Sequence, residues 1–253
     1  MIGNRKVVCV IPARLKSSRF PNKMLASLKG KPILQWVWEA ATQVKVFDEV
    51  CFAVDALQTA QLIDSFQGKW WMTEESCASG TDRLIELLQT NRVQGDIWVN
   101  WQGDEPFICE QMITDLLQSC EKDRSDIWTL KKKVFREEEY LSKQFAKVVC
   151  DGRGYALYFS RSPIPFYRDV VDFSKKNIYK HVGLYAYTQE ALRKISACPV
   201  CEIEAAEQLE QLRFLSCSLK IRVHETQYEV VGIDLPEHIQ RAESYIEQNE
   251  RTW

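Results

Sequence analysis

The first half of the chain alternates between short apolar runs and apolar residues at helical spacing. Apolar runs of strand length lie at residues 7–11, 50–54 and 97–101. Apolar residues at intervals of three and four, which are typical of amphipathic helices, occupy 33–41, 59–66, 82–89 and 111–120. Pro32 suits the start of the first of these helices, because an N–H group is not needed there. Strands that alternate with helices predict an α/β fold with a mainly parallel sheet flanked by helices.

The pattern changes after about residue 125. Strand-like runs at 148–150, 156–159 and 183–187 are separated by longer polar segments, and helical spacing returns at 204–215 and 236–248. No internal repeat, low-complexity tract or clean linker separates the two halves. We therefore expect a single domain over residues 1–253, with a strand-and-loop region added at about 125–190. That added region is the surface we favour for contacts between subunits.

Charge and hydropathy exclude several classes of protein. The 253 residues include 33 Lys and Arg against 35 Asp and Glu, which gives a net charge of -2. No global basic field is available to bind nucleic acid or an anionic membrane, so any anion must be bound locally. The first apolar run, residues 7–11, is too short for a signal-peptide core or a membrane span. We expect a soluble, cytoplasmic protein with neither a nucleic-acid nor a membrane partner.

The cysteines favour free thiols over a metal or redox site. Nine cysteines are an odd count, and several lie in strand-like apolar runs, where cysteine behaves as a small hydrophobe. Cys198 and Cys201 have C-x-x-C spacing, but no second pair follows and the three histidines complete no zinc spacing. This spacing therefore predicts a loop with two thiols.

A cluster of cations follows the first predicted strand. The loop contains Arg14, Lys16, Arg19 and Lys23, together with two serines and two prolines. Neither a G-x-x-x-x-G-K-[ST] nor a G-x-G-x-x-G phosphate loop is present, so side chains must supply most of the positive charge. Ligands bind at the carboxyl ends of strands in an α/β sheet. We therefore favour a polyphosphate site here over a solvated charged loop.

A carboxylate follows the strand at 97–101. Gln102-Gly103-Asp104-Glu105-Pro106 places Asp104 at a strand end, where it suits Mg²⁺, a cation that binds one or two carboxylates plus substrate phosphates. On residue types alone, an acidic turn before the next helix explains this segment equally well. The segments 79–83 and 233–236 likewise fit ordinary helix starts.

Together these segments carry a resemblance to one family. In chain order they read VIPARLKSSRFPNKML, SGTDRL, VNWQGDEPFI, YALYFSRSPIPF, KHVGLYAY, LEQLRFL and IDLPEHI. This series resembles the 3-deoxy-manno-octulosonate (Kdo) cytidylyltransferases over about residues 7–240. The resemblance implies a Rossmann-like nucleotidyltransferase fold and a homodimer that requires Mg²⁺. It implies a reaction in which CTP and an eight-carbon sugar acid give CMP-Kdo and pyrophosphate, for lipopolysaccharide biosynthesis.

The resemblance also implies roles for individual residues. Those matching the CTP site are Ala13, Arg14, Lys23, Ser79, Arg83 and Gln102. Asp104 and Asp234 match the family's two magnesium-binding aspartates. Together with Lys23, these two aspartates match the catalytic residues. The residues matching the sugar-acid site are Gln102, Arg161, His181, Tyr185, Glu210 and Gln211. Three of these residues also have a purely structural explanation. Tyr185 fits a core position, Glu210 fits an ion pair on a helix face, and His181 fits a structural residue of a loop.

The chain departs from the family pattern at two places. Asn22 stands where members often have glycine, and asparagine tolerates left-handed backbone geometry better than most residues. Members tend to have a threonine and acidic residues after the second strand, where this chain has Val54-Asp55-Ala56-Leu57. Alternatives are the same reaction on 8-amino-Kdo or sialic acid, and a non-catalytic nucleotide-sugar-binding relative.

Overall fold

The computed structural model describes residues 2–17, 20–169, 172–173, 175–229 and 232–249. Ser18 and Arg19 of the predicted polyphosphate loop lie outside the described residues. The chain divides into two compact units, Met1–Ile113 with Val230–Trp253, and Thr114–Glu229. The expectation of a single domain stays a prediction.

A parallel sheet forms the centre of the first unit. Its strands and an adjoining two-stranded ribbon are β1 (Val7–Ala13), β2 (Ser27–Leu28), β3 (Lys31–Pro32), β4 (Glu49–Val54), β5 (Trp70–Met72) and β6 (Ile97–Asn100). The order β6-β1-β4-β5 is parallel throughout, and every residue of β1 is buried. The three predicted strands are confirmed. β5 was not predicted, because it is only three residues long and is half-buried or exposed.

Helices cover this sheet. They are α1 (Ile33–Gln43), α2 (Leu57–Ser65), α3 (Gly80–Gln89) and α4 (Glu110–Leu117), within which the division between the units falls. Each matches a predicted helix within a few residues. α1 buries Ile33, Leu34, Val37 and Ala41, the apolar stripe expected of a helix lying on a sheet. The predicted α/β class with a mainly parallel sheet flanked by helices is confirmed.

Mixed strand pairing characterises the second unit. Its strands are β7 (Ile127–Lys133), β8 (Lys147–Cys150), β9 (Ala156–Ser160), β10 (Tyr179–Thr188) and β11 (Ile221–Glu225). β7 pairs antiparallel with β10 and parallel with β11, while β8 pairs antiparallel with β9 and β10. The three predicted strands correspond to β8, β9 and part of β10. β7 and β11 were not predicted from the sequence.

The predicted helix at 204–215 is wrong as a continuous element. The second unit has α5 (Glu137–Leu141), α6 (Gln189–Ala197), α7 (Glu202–Glu207) and α8 (Gln211–Ser216). Gln208 ends α7 with a left-handed φ of 54°. In a continuous helix, the Glu207 carbonyl would accept a bond from the N–H four residues later. Here it accepts from Arg161 Nε at 3.1 Å, so a contact with another segment takes the place of a helical bond.

The ends of these helices also correct the prediction for one cysteine. Cys198 follows α6 and Cys217 follows α8, and the two form a disulfide with Cα atoms 6.4 Å apart. Cys201 is a free thiol that lies 3.3 Å from the Ser216 hydroxyl. Two thiols at Cys198 and Cys201 were therefore the wrong expectation, because Cys198 is bonded to Cys217 and only Cys201 of the pair is a free thiol.

The chain returns to the first unit with α9 (Glu237–Asn249). Ala242 and Ile246 of this helix join Leu28, Ile33 and Phe107 in one buried cluster. The rings of Phe107 and Tyr245 lie 4.8 Å apart. This packing anchors the segment before α9, which carries Asp234. In the part of the chain that the structure describes, no helix has the length and apolar character needed to cross a membrane.

Candidate active site

A polar cleft in the first unit lies at the carboxyl ends of β1 and β6. Seven residues predicted from the sequence line it: Arg14, Lys23, Ser79, Arg83, Gln102, Asp104 and Asp234. Ala13 is buried and is the last residue of β1, so it directly precedes Arg14 in the chain. Parallel strands bring their carboxyl ends to one edge, which is where open α/β sheets bind ligands. The cleft therefore unites segments far apart in sequence.

Lys23 is, like Arg83, a buried cation of the cleft. It begins a single helical turn, Lys23–Leu25, and only 6% of the residue is exposed. Asn22 precedes it with a left-handed φ of 55°. Asparagine adopts this conformation at little cost, so the predicted tolerance for its replacement of glycine is confirmed.

Two aspartates share the ammonium group of Lys23. Its Nζ forms a close ion pair with Asp104 Oδ2 and lies 3.2 Å from Asp234 Oδ1. The Asp104 carbonyl also accepts a hydrogen bond of 3.0 Å from the Ile233 N–H, which ties the segment after β6 to the segment before α9. The structure thus brings Lys23, Asp104 and Asp234 together, as the family resemblance implied.

Glu105 adds a third carboxyl group that the sequence analysis did not select. Burial, followed by the nearby charges of Asp104 and Asp234, raises its pKa to about 8, and Lys23 opposes this shift. The Oε2 atom is buried and has no hydrogen-bond partner. A carboxyl group with this pKa is mostly protonated near pH 7, so the two aspartates, rather than Glu105, supply the negative charge that exceeds the charge of Lys23 and favours an additional cation.

The first turn of α3 forms another wall of the cleft. The Ser79 hydroxyl accepts from the Asp82 N–H at 3.1 Å, and the Asp82 carboxylate accepts from the Ser79 N–H at 2.9 Å. This reciprocal capping box confirms the helix-start interpretation, while Ser79 also lines the cleft. A Cβ atom at Gly80 would lie 3.1 Å from Gln102 Nε2, so a larger residue at this position would disturb the start of α3 and the Gln102 side chain.

Hydrogen bonds to the protein hold Arg83 in place. Arg83 is buried and pairs with Asp55 at 2.8 Å. It also donates to the Thr73 hydroxyl at 2.6 Å and to the Glu74 carbonyl at 3.3 Å. Asp55 in turn accepts from the Leu15 N–H at 2.8 Å. Asp55 has no role predicted from the sequence, because residues 54–57 depart from the family pattern.

The sugar-acid candidates lie in the second unit. The Arg161 guanidinium donates to the carbonyls of Glu207, Lys143 and Gln144 at 3.1–3.3 Å. The Glu207 carboxylate accepts from the Arg161 main-chain N–H at 2.9 Å. Neutral carbonyls orient the guanidinium, and no ion pair among the described residues includes it.

His181 lies between aromatic rings. Its ring is 5.0 Å from the ring of Phe159 and 5.3 Å from that of Tyr185. Its Nε2 lies 2.9 Å from the Thr129 hydroxyl, which donates its own proton to the Leu184 carbonyl at 2.9 Å. We therefore assign the His181 proton to Nε2, which leaves Nδ1 as an acceptor. Burial lowers the pKa of His181 to about 3, so the ring is neutral near pH 7.

Glu210 directly precedes α8, and Gln211 is the first residue of that helix. Glu210 pairs with Arg213 at 3.1 Å across one turn, which is the helix-face alternative raised from the sequence. Gln211 is buried. Within the second unit, the structure thus joins His181 with Tyr185 and places Glu210 beside Gln211. Their roles toward a ligand stay predictions.

Comparisons with known proteins give a consistent result. The family model described as "Cytidylyltransferase" matches residues 8–221. The 3-deoxy-manno-octulosonate cytidylyltransferase of Thermodesulfovibrio yellowstonii is 45% identical over 245 residues, covering 93% of this chain and 96% of the relative. The enzyme of the same name from Porphyromonas gingivalis is 41% identical over 250 residues, covering 96% and 97%.

Solved structures agree with these relatives. The structure of CMP:2-keto-3-deoxy-manno-octonic acid synthetase complexed with CTP superimposes with a TM-score of 0.90 at 39% identity, covering 96% of this chain and 99% of that one. The 4-diphosphocytidyl-2C-methyl-D-erythritol synthase of Anaerococcus prevotii has a TM-score of 0.64 at 13% identity, covering 96% and 99%, which shows a shared fold. This chain therefore belongs to the 3-deoxy-manno-octulosonate cytidylyltransferases, a family of nucleotidyltransferase enzymes.

Proposed function

We propose that this protein transfers the CMP group of CTP to 3-deoxy-manno-octulosonate and releases pyrophosphate. The single observation that carries the proposal is the buried Lys23 ammonium, which lies between Asp104 and Asp234 in a cleft at the strand ends. The names of the relatives, and the CTP complex of a solved neighbour, support this choice of substrates.

For the nucleotide, we assign Arg14 and Lys23 to the triphosphate. Arg14 is exposed at the cleft and Lys23 is buried in it, so together they supply positive charge at its mouth and floor. The N-terminus of α3, with Ser79 and Gly80 at the cleft, adds the positive end of a helix dipole, which favours anions. Ala13, Arg83 and Gln102 complete the proposed CTP site.

For the metal, we assign Asp104 and Asp234. Carboxylate oxygens are suitable ligands for Mg²⁺, which binds few protein carboxylates and fills its remaining positions with substrate phosphates and water. Among the described residues, no group of three or more His, Cys, Asp or Glu side chains could hold a metal ion. Both aspartates are partly exposed at the cleft and thus accessible to an ion. When bound, Mg²⁺ would neutralise phosphate charge and lower the pKa of the sugar hydroxyl.

For the sugar acid, we assign Arg161, His181, Tyr185, Glu210 and Gln211, together with Gln102. The orientation of the Arg161 guanidinium by main-chain carbonyls supports a role in binding the substrate carboxylate, because an arginine fork can bind both oxygens. The neutral His181 ring, with its proton on Nε2, offers Nδ1 as an acceptor for a sugar hydroxyl.

In the reaction, the anomeric hydroxyl oxygen of the sugar forms a bond to the α-phosphorus of CTP. The bond from that phosphorus to the β-phosphate oxygen breaks, its electron pair leaves with pyrophosphate, and the hydroxyl proton is released. The protein's residues bring the two substrates into line and neutralise charge on the triphosphate, which are the main sources of catalysis in such transfers. To Lys23 we assign the pairing with the negative charge of the departing pyrophosphate.

We further propose a cytoplasmic homodimer whose product serves lipopolysaccharide synthesis, as the family resemblance implies. The names of the relatives do not favour the alternatives, which are 8-amino-Kdo, sialic acid and a binding-only relative.

The test is pyrophosphate release by the purified protein with CTP and Mg²⁺. Kdo, 8-amino-Kdo and sialic acid are compared, with a control that lacks sugar. Release that depends on Kdo is expected. Release with another sugar alone would replace the proposed substrate, and CTP binding without release for any of the three would contradict the proposed activity.

A further inference from the structure

Asp55 makes two hydrogen bonds that join separate walls of the cleft. It follows β4, and only 6% of its side chain is exposed. Oδ1 accepts from the Leu15 N–H at 2.8 Å, and Oδ2 accepts from the Arg83 guanidinium at 2.8 Å. One buried carboxylate thus contacts the loop after β1 and the helix α3 at the same time.

Among the described residues, the two walls differ in the hydrogen bonds and ion pairs that hold them. Arg83 belongs to α3 and is held by the Thr73 hydroxyl and the Glu74 carbonyl besides Asp55. The loop after β1 carries Arg14 and is held by the buried Asp55 bond to its main chain. A second link from the same loop, the ion pair between Lys16 and Glu75, is exposed, with 82% and 63% of the side chains accessible. Exposed pairs contribute little to order.

We infer that Asp55 is a positioning residue for CTP, which holds the Arg14 loop against α3 before the nucleotide binds. The inference rests on the proposed function, because it assumes that the cleft takes a nucleoside triphosphate. A loop already ordered in the free protein avoids the entropy cost of ordering on binding. Asp55 acts through Leu15 and Arg83.

The principal variant is Asp55→Ala, which removes both bonds. We expect its dissociation constant for CTP to rise about tenfold, the scale of one lost bond to a charged group, while the KM for the sugar stays within about twofold. Asp55→Asn keeps an oxygen for the Leu15 N–H and removes the charge facing Arg83. This variant is expected to lose stability but to keep most of its affinity for CTP, a separation that a purely structural role would not produce.

Two control variants match the chemistry. Asp48→Ala also removes a carboxylate that accepts from a main-chain N–H, that of Val7 at 2.8 Å, at the opposite end of β1. Glu75→Ala removes the exposed link from the same loop. Both are expected to leave CTP affinity within about twofold of the original protein, since neither touches the buried link.

The measurements are calorimetric CTP binding and amide hydrogen exchange over residues 13–17. Faster exchange in Asp55→Ala together with weaker CTP binding supports the inference. A CTP affinity that falls no further than in Asp48→Ala overturns it. Should Asp55→Ala fail to fold, Leu15→Pro removes the donor and keeps the Asp55–Arg83 pair, and an unchanged affinity in that variant would also overturn the inference.

These measurements do not require turnover. A protein whose CTP affinity depends on Asp55, but which releases no pyrophosphate with any sugar, would contradict the proposed function and support the role of Asp55. Failure of the original protein to bind CTP would overturn both.

Discussion

The substitution Asp104→Asn tests the assignment of Asp104 as a metal ligand, and it changes the shape of the side chain very little. It replaces a carboxylate by an amide of the same size and leaves Lys23 with Asp234 at 3.2 Å. A hydrogen bond to a charged group contributes about 1.5–3 kcal/mol. Because 21% of the Asp104 side chain is exposed, we take the lower end, about 1.5 kcal/mol. For a chain of this length, that loss lowers Tm by about 3–6 °C.

The expected effect on catalysis is much larger than the effect on stability. Changes in residues that merely support metal ligands typically cost about 10- to 100-fold in metal affinity or activity. Loss of a ligand itself is therefore expected to lower kcat by at least about 100-fold. The assay is pyrophosphate release at saturating CTP and Kdo over a range of Mg²⁺ concentrations, with Tm measured by calorimetry on the same preparations.

Asp48→Asn is the matched control for this experiment. Asp48 accepts from the Val7 N–H at 2.8 Å, away from the carboxyl ends of the strands, so its loss affects stability without reaching the cleft. Its turnover is expected to be unchanged. If Asp104→Asn turned over at the original rate, with the same Mg²⁺ dependence, Asp104 would have no place in the metal site and the argument from Lys23 would be wrong.

Three further variants address other parts of the site. Arg161→Ala should raise the KM for the sugar by about tenfold or more and leave that for CTP unchanged, because it removes the proposed carboxylate partner; an unchanged sugar KM would place that carboxylate elsewhere. Gly80→Ala should weaken CTP binding, since its Cβ would lie 3.1 Å from Gln102 Nε2, and calorimetric affinity equal to the original would show that the cleft adapts. His181→Asn should reduce the amount by which the free energy of unfolding falls as the pH is lowered. Because folding lowers the pKa of His181 from 6.5 to about 3, the stability it contributes is complete above pH 6.5 and is lost as pH falls toward 3. Urea unfolding across that range checks this, and an unchanged pH profile would contradict it.

The helix break between α7 and α8 shows why local spacing misled the prediction at 204–215. Residues in this stretch have apolar side chains at helical intervals, and nothing in that pattern marks Gln208 as left-handed. The interruption comes from Arg161, which takes the Glu207 carbonyl and lies 46 residues away. A periodic pattern reports which face is apolar, but it carries no information about a distant donor.

The missed strand β7 has a similar cause. Its sequence, IWTLKKK, ends in three lysines, which are not typical of a strand next to a core. In the structure, Lys131 Nζ lies 3.9 Å from the centre of the Tyr179 ring and Lys133 Nζ lies 5.5 Å from that of Phe135. Aromatic faces from other positions thus accommodate these charges.

The sequence by itself determined the α/β class, the order of most strands and helices, and the presence of Lys23 and Asp104 after buried strands. It could do so because periodicity is local and because strand ends in a parallel sheet share one edge. Only the tertiary structure decided that Asp234, 211 residues from Lys23, shares its ammonium group, and that Asp55 joins Leu15 to Arg83. Contacts across such separations depend on how the elements pack, and packing leaves no regular spacing in the chain.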